Sequence, residues 1–435
     1  MSPRYRWFVV FTFFLFILLH QADKLLIGPL ATPIMESFGI NEAQMGLVFS
    51  GAVFVGAIFY PIWGWLYDRF MRSRLLALAS LLWGASTWLS AVVGTFPGFV
   101  ATRACTGIDD SSYPGLYNIT ADYFEPEKRG RVNGILELAM PLGYLGGMVL
   151  ALTMQKTVGW RGVFYITGSI GVAMAVLIFF GVKEPRRGGS EPELKGLRQT
   201  KEYRFNWKEV GGLFRKPSLL LIYSQSLFGV FPWQVITFWF FRYLQTERGY
   251  SEMQVLTTMG IAIIVLAGGY PIGGSLGDAW FKRNTRGRLL VSAIGVALGA
   301  IFLVFALRTP VANQLQFGLL LGLTAIFMPF AAPNMVASVY DVTLPEVRST
   351  ANAVFNFFDQ IGSAIAPALA GLIAVRSSLG SAILLISVGA WALCFVFQIA
   401  ASFFMPADVK VLRAQLRERA AAERALSLAP ISTHP

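Results

Sequence analysis

Residues 64–74 read Gly64-Trp65-Leu66-Tyr67-Asp68-Arg69-Phe70-Met71-Arg72-Ser73-Arg74, and their punctuation returns as Gly274-Ser275-Leu276-Gly277-Asp278, with Lys282 and Arg283 following. Each copy joins the end of a long apolar run to a cluster of bases and then to another apolar run. A second pair of stretches repeats in the same order: Pro126-Glu127-Lys128-Arg129 with Asn133, and Pro345-Glu346-Val347-Arg348 with Asn352. Both pairs occupy equivalent loops, so the two halves of the chain share topology and are expected to be related by an axis along a membrane normal.

The apolar runs identify the surrounding medium. The 435 residues are 55% apolar and 14% charged, and the mean hydropathy is +0.58, which together describe a polytopic membrane protein rather than soluble domains. Twelve segments, roughly 7–30, 45–67, 75–97, 99–121, 133–155, 163–182, 218–243, 253–276, 289–307, 312–339, 351–374 and 380–405, each supply about the 20 residues that cross ~30 Å of hydrocarbon as a helix. They are continuous runs without the alternation of barrel strands. The expected fold is an all-α membrane protein of twelve transmembrane helices in two pseudo-symmetric six-helix bundles. Its expected parts are an N-terminal bundle over 1–182, a linker over 183–217, a C-terminal bundle over 218–405 and a basic tail over 406–435.

The net charge of +12 needs no nucleic-acid partner if the bases line one membrane face. Of the 36 Lys and Arg, Lys24 and Arg103 lie inside apolar segments, and Lys156, Arg161, Arg242, Arg248, Arg308 and Arg376 lie at one set of ends. All the others fall at the opposite ends or in the linker and tail. By the positive-inside rule that side is cytoplasmic, as are both termini, and the expected location is the inner (cell) membrane. The first apolar run has no small-residue cleavage site and is expected to remain as a helix. The tail, with Lys410, Arg413, Arg417, Arg419 and Arg424, reads either as an amphipathic helix on the inner leaflet or as a solvated segment.

Enzymatic chemistry has little to rest on. There is no Gly-x-x-x-x-Gly-Lys-Ser/Thr phosphate loop. Two Cys, Cys105 and Cys394, and two His, His20 and His434, form no metal constellation. No cofactor and no metal are expected. Asn118-Ile119-Thr120 matches a glycosylation acceptor but lies within the fourth segment.

An ionised side chain at bilayer depth is costly unless it is paired or faces water, so each one marks a functional candidate. The helical rise places Asp23 and Lys24 about 5 Å below the outer boundary of the first segment and Arg103 about 6 Å below it in the fourth. An Asp23–Arg103 pair is therefore within geometric reach, and Asp110 lies near the midplane, about 16 Å down. His20, Asp23 and Lys24 share one face of the first helix. His20 suits either proton uptake near neutral pH or a neutral hydrogen bond. Asp110, if it had no fixed cation, would hold a proton readily enough to serve as a carrier. Glu137, Asp359 and Asn334, the last after the helix-breaking Pro333, are further candidates for substrate contact.

The Gly64–Arg74 loop resembles that of the major facilitator superfamily, with Phe70 and Met71 in place of smaller residues. The resemblance implies a gating set of Gly64, Asp68, Arg69, Arg72 and Asp278, in which Asp68, and more weakly Asp278, latches the halves. Arg103-Ala-Cys-Thr-Gly107-Ile-Asp-Asp110-Ser-Ser-Tyr113 is similar to the spinster branch, where the run is Arg, then Gly-Ile-Gly-Glu-Ala-Ser-Tyr. Asp110 takes the place of the Glu and Asp109 that of a Gly. Asp23-Lys24 corresponds to an Asp-Arg, and Lys24 weakens any bidentate pairing there. Ala139-Met140-Pro141-Leu142-Gly143, Gly159-Trp160-Arg161, Lys183-Glu184-Pro185, and Pro367 with Gly371 continue the similarity.

The resemblance implies a proton-coupled secondary transporter in which Asp23 and Asp110 titrate, Arg103 holds or releases them, and Lys24 and His20 assist. Its substrate would be an amphipathic anion such as a lysophospholipid or sphingoid phosphate. Arg103, Tyr113, Glu137, Phe231, Trp233, Gln234, Phe238, Asn334 and Asp359 form the expected substrate set, with Phe228 and Trp239 beside them, although aromatics in a membrane helix usually face lipid. The expected partners are this anion, protons and the bilayer, with no nucleic acid, and the chain is expected to be a monomer. A symporter of a small sugar acid or carboxylate, and a membrane receptor without transport, remain open as alternatives.

Overall fold

The computed structural model describes residues 2–124, 132, 135, 136, 138–185, 213–343 and 348–428. The linker between 186 and 212, Glu137, and both copies of the Pro-Glu loop motif up to residue 347 lie outside the described residues. The described residues form helices joined by turns and short irregular connections, with no strand among them. Ten helices are long and apolar enough to span a membrane, and two breaks account for the other two of the twelve spans.

The first break is a glycine. Helix α7 (Ala139–Gly181) is two spans in one element, divided at Gly159, whose φ of 68° and ψ of 169° are closed to residues with a side chain. The second lies in the fourth span, where α5 (Phe96–Asp110) stops and α6 (Tyr113–Tyr123) begins after Ser111 and Ser112. Pro114, in the first turn of α6, has no N–H for the carbonyl of Asp110, so the ladder opens there. The broken span therefore lacks a single long apolar helix.

Local chemistry sets the other boundaries. Helix α1 (Pro3–Leu25) starts with Ser2 as N-cap and Pro at its first position. The short α2 (Ala31–Phe38) ends at left-handed Gly39. Helix α3 (Glu42–Arg69) begins with a reciprocal capping box between Asn41 and Gln44. Helix α4 (Arg72–Val92) starts three residues after α3 ends.

Contacts divide the chain into two compact units. The first holds residues 1–203, 230–263 and 360–387, and the second holds residues 204–229, 264–359 and 388–435. In the first, Phe13, Phe16, Trp83, Tyr67 and Leu116 centre a core that joins α1, α3, α4 and α6. Helices α3 and α5 meet closely at Gly107, where a Cβ would stand 1.9 Å from the carbonyl oxygen of Ala52. Helix α9 (Phe231–Thr246) also belongs here and buries Phe231, Phe238, Trp239, Phe240 and Phe241. The second unit contains α8 (Pro217–Gly229), the later part of α10 (Glu252–Phe281), α11 (Gly287–Arg308), α12 (Gln314–Phe327) and α13 (Ala331–Asp341). It also contains the first turns of α14 (Arg348–Arg376) and most of α15 (Leu379–Leu428). Its core includes Tyr223, Leu303, Met335 and Trp391.

Candidate functional site

The end of α1 and the end of α5 bring six ionisable side chains of the first unit into one polar cluster. Lys24 Nζ stands 2.7 Å from Asp110 Oδ2, and the two side chains are 35% and 22% exposed. His20 Nε2 stands 2.6 Å from Asp109 Oδ2, at 4% and 0% exposure. Arg103 Nη1 and Asp23 Oδ2, 4% and 2% exposed, are 4.0 Å apart. That is within ion-pair range but beyond a hydrogen bond. The rim pair therefore meets water, while the other two pairs depend on each other.

Hydrogen bonds orient the buried members. Thr87 of α4 donates to Asp23 Oδ2 at 3.0 Å, and the Tyr113 hydroxyl lies 2.6 Å from His20 Nδ1. The imidazole is stacked on Phe16 and edge-on to Trp83. Arg103 also lies 5.2 Å from the centre of the Phe164 ring, a favourable place for a desolvated guanidinium. Around the helix break, Trp63 donates to the carbonyl of Ile108 at 2.5 Å and Tyr67 to that of Ser112 at 2.8 Å. Carbonyls near the break are thus satisfied from α3, which holds the break open at the acids.

The cluster is not saturated. Asp23 Oδ1, Arg103 Nη1, Asp109 Oδ1 and Asp110 Oδ1 are buried without a hydrogen-bond partner. All four residues border a cavity of about 30 Å³, which His20, Lys24 and Phe238 also line. That is room for about two waters. In this state the cavity has no room for a lipid or a sugar acid.

The sequence expectations divide accordingly. Asp23, Arg103, His20, Lys24, Asp110 and Tyr113 come together. The condition on Asp110, that it have no fixed cation, is not met in this structure, where Lys24 reaches it from one turn beyond His20. Asp109 was missed as a functional candidate because it stands where the resembled branch has a glycine. The available signal was two bases four residues apart on α1 opposite two consecutive acids.

Phe238 stacks on Phe49 with ring centres 4.6 Å apart and borders the cavity. Phe231 and Trp239 are buried, and Trp233 and Gln234 are half-buried, so this face of α9 is turned into protein and not to lipid. Phe228 lies in the second unit, half-buried. Asn334 and Asp359 also belong to the second unit. Asn334 donates to the carbonyl of Gly273 in α10 at 2.9 Å and to that of Phe330, one turn back at the start of its own helix, at 2.8 Å, so one amide hydrogen joins two helices and the other stays local. Asp359 has no ion pair among those described.

The expected gating residues lie at helix ends. Gly64 has open space where a Cβ would be, and Arg69 lies 4.5 Å from the centre of the Trp65 ring. Asp68 is in the last turn of α3, and its side chain lies outside the described ones. Arg72 pairs with Asp122 at 2.7 Å and Glu184 at 2.8 Å. In the second unit Arg288 pairs with Asp278 at 2.7 Å and also with Asp341. Glu42 and Arg242, 2.8 Å apart, tie α3 to α9 at the end of the first unit opposite the basic loops.

These features fit a membrane carrier with paired charges at depth. Residues 12–314 match the Major Facilitator Superfamily, and the chain belongs to it. It is 26% identical over 409 residues to protein spinster homolog 1 of Xenopus tropicalis, covering 88% of this chain and 75% of that one. It is 25% identical over 394 residues to a probable galactarate/D-glucarate transporter of Bacillus subtilis, covering 85% of each. The fold is similar to a bacterial homologue of the human lysosomal transporter Spinster in an inward-facing and unoccupied conformation. That similarity has a TM-score of 0.78 at 19% identity over 95% of this chain and 99% of the other. The chain is an integral membrane transporter, spinster-like within its superfamily, and not an enzyme.

Proposed function

We propose that this transporter is a proton-coupled carrier of an amphipathic anion, such as a lysophospholipid or sphingoid phosphate. The observation that carries the reading is the water-sized cavity, at which a buried Arg103 with a free hydrogen-bonding group faces Asp23, beside the half-open Lys24–Asp110 pair. An anionic head reaching Arg103 would compete with Asp23 for the guanidinium. Protonation of Asp23 or Asp110 would release Arg103 or Lys24 to take that head, since a proton removes the carboxylate's claim on its cation. His20 adds a third group able to hold a proton. Substrate and proton would thereby alternate at shared cations.

The buried aromatic face of α9, with Phe238 at the cavity, supports an apolar substrate portion, as does the similarity to spinster proteins. The two-bundle halves 1–182 and 218–405 are the proposed moving parts of alternating access. Asp68 and Arg69 at one loop and Asp278 at its repeat are the proposed latches. The excess of bases on one side supports a cytoplasmic position for that side and both termini, with the chain working as a monomer in the inner membrane.

A second reading, a symporter of a small sugar acid, rests on the galactarate/D-glucarate relative. Proteoliposomes loaded with either lysophosphatidylglycerol or galactarate under an imposed pH gradient separate the two. Flux of the lipid, lost in Asp110→Asn with binding retained, is the expected result. Movement of galactarate alone would establish the second reading, and binding of either without flux would make the chain a receptor.

A further inference from the structure

The His20–Asp109 contact is buried more completely than the rim pair, and the proton-coupling scheme above does not require Asp109. Burying an ionised carboxylate with a neutral partner is costly, and Asp109 Oδ1 has no other bond to offset the cost. Both imidazole nitrogens have a polar partner at 2.6 Å, and three aromatic rings hold the imidazole plane. An imidazole used only for packing would not need an acid and a phenol at opposite edges.

We propose that Tyr113, His20 and Asp109 form a second proton-holding site, distinct from Asp110, in which Asp109 is the positioning residue and His20 carries the proton. The proposal rests on the proton-coupled reading above. In the unloaded state the Nε2–H of neutral His20 donates to Asp109 and Nδ1 accepts from the Tyr113 hydroxyl. On loading, a proton arriving as hydronium is relayed through the cavity water to Nδ1, leaving neutral water behind, and the new N–H donates to the Tyr113 oxygen, whose own hydrogen turns away. The pair then carries no net charge, against one negative charge before, and unloading reverses the same bonds.

The neighbours fit a site whose charge changes by one. From α1 come Asp23 and Lys24, and from α5 come Arg103 and Asp110. Helix α6 supplies Tyr113, with Tyr117 interacting beyond it. On α3, Tyr60 interacts with Asp110. Helix α4 presents Trp83 and Thr87, and α7 meets α1 through Gly143 and Gly147 at the carbonyls of Leu18 and Ala22. With Asp23, Asp109 and Asp110 ionised and Lys24 and Arg103 charged, one imidazolium brings the six-residue cluster to neutrality.

The chain has only one other histidine, His434. The full-length protein carrying His434→Ala and labelled at its imidazole nitrogens therefore gives one nuclear magnetic resonance signal, that of His20, without any substrate. It is expected to pass from imidazolium to neutral imidazole with rising pH, and Asp109→Asn to move that change toward acid by about one unit or more. Asp109→Glu should restore it. A signal that stays neutral throughout, or a midpoint unmoved in Asp109→Asn, overturns the proposal.

His20→Gln keeps hydrogen-bonding groups but cannot titrate. In proteoliposomes it should move one proton fewer per lysophosphatidylglycerol than wild type, read with an entrapped pH dye. An unchanged ratio also overturns the proposal. If the wild type shows no pH-driven flux while His20 titrates as described, the proton-coupled reading fails and the proton site stands. Should a variant fail to fold, the wild-type signal decides alone.

Discussion

The two compact units treat charge differently. The first encloses three carboxylates, two fixed cations and an imidazole among its helices. The second, among its described residues, keeps Asp359 and the amide of Asn334 at depth and places its ion pairs at helix ends, around Arg288. Yet both contain a copy of the same loop punctuation. Repeated sequence therefore preserves the scaffold and its basic loops, while charge enters the apolar interior where paired groups and a water-sized space offset its cost.

The comparison is tested most severely at Arg103. Arg103→Ala should leave Asp23 buried with only Thr87 as partner and destabilise the protein by about 3–5 kcal/mol, measured by thermal unfolding in detergent. A loss below about 1 kcal/mol would mean that the 4.0 Å pair is not held as a charge pair. Next come the loop arginines. Arg72→Ala removes the partner of two carboxylates that are 12% and 19% exposed and should cost about 2–3 kcal/mol. Arg288→Ala should cost less, about 1–2 kcal/mol, because only one of its two partners, Asp341 at 18% exposure, is sheltered, while Asp278 is 61% exposed. Equal losses would show that the two units use their loop pairs alike.

Asn334→Ala is expected to cost about 1–2 kcal/mol through two lost amide bonds, read in the same melts. The smallest effect is expected at the second unit's acid. Asp359→Asn should weaken lysophosphatidylglycerol flux about fivefold, on the order of 1 kcal/mol of binding, and leave its pH dependence alone. A changed pH dependence would make the second unit a proton carrier as well and end the asymmetry.

Most of the fold was legible because a bilayer imposes length and polarity on every span. The harder features were local. Ser111 and Ser112 interrupt the fourth span, and the break becomes visible through Pro114, which has no N–H to offer the carbonyl of Asp110. At the site, equal depths on α1 and α5 brought Asp23 and Arg103 within reach of each other. Depth could not say which acid Lys24 would choose, since Asp23 adjoins it in sequence and Asp110 meets it in space. Asp109 was hidden because comparison with a glycine-bearing pattern drew attention to its neighbour. Asn334, read as a substrate contact from its place after Pro333, donates to Phe330 one turn back and to Gly273 of α10, and the second bond is a pairing between helices that sequence spacing does not disclose.

The charge parity of the α1–α5 cluster has an electrical consequence. A singly charged head that crosses with the one proton held at His20 moves no net charge, so such a cycle would carry no current and ignore the membrane voltage. A doubly charged sugar acid entering with a single proton would leave one uncompensated charge, and its movement would be worth about 2.3 kcal/mol per 100 mV. Currents recorded on supported membranes would then distinguish the two substrate classes by the sign and size of the charge that crosses.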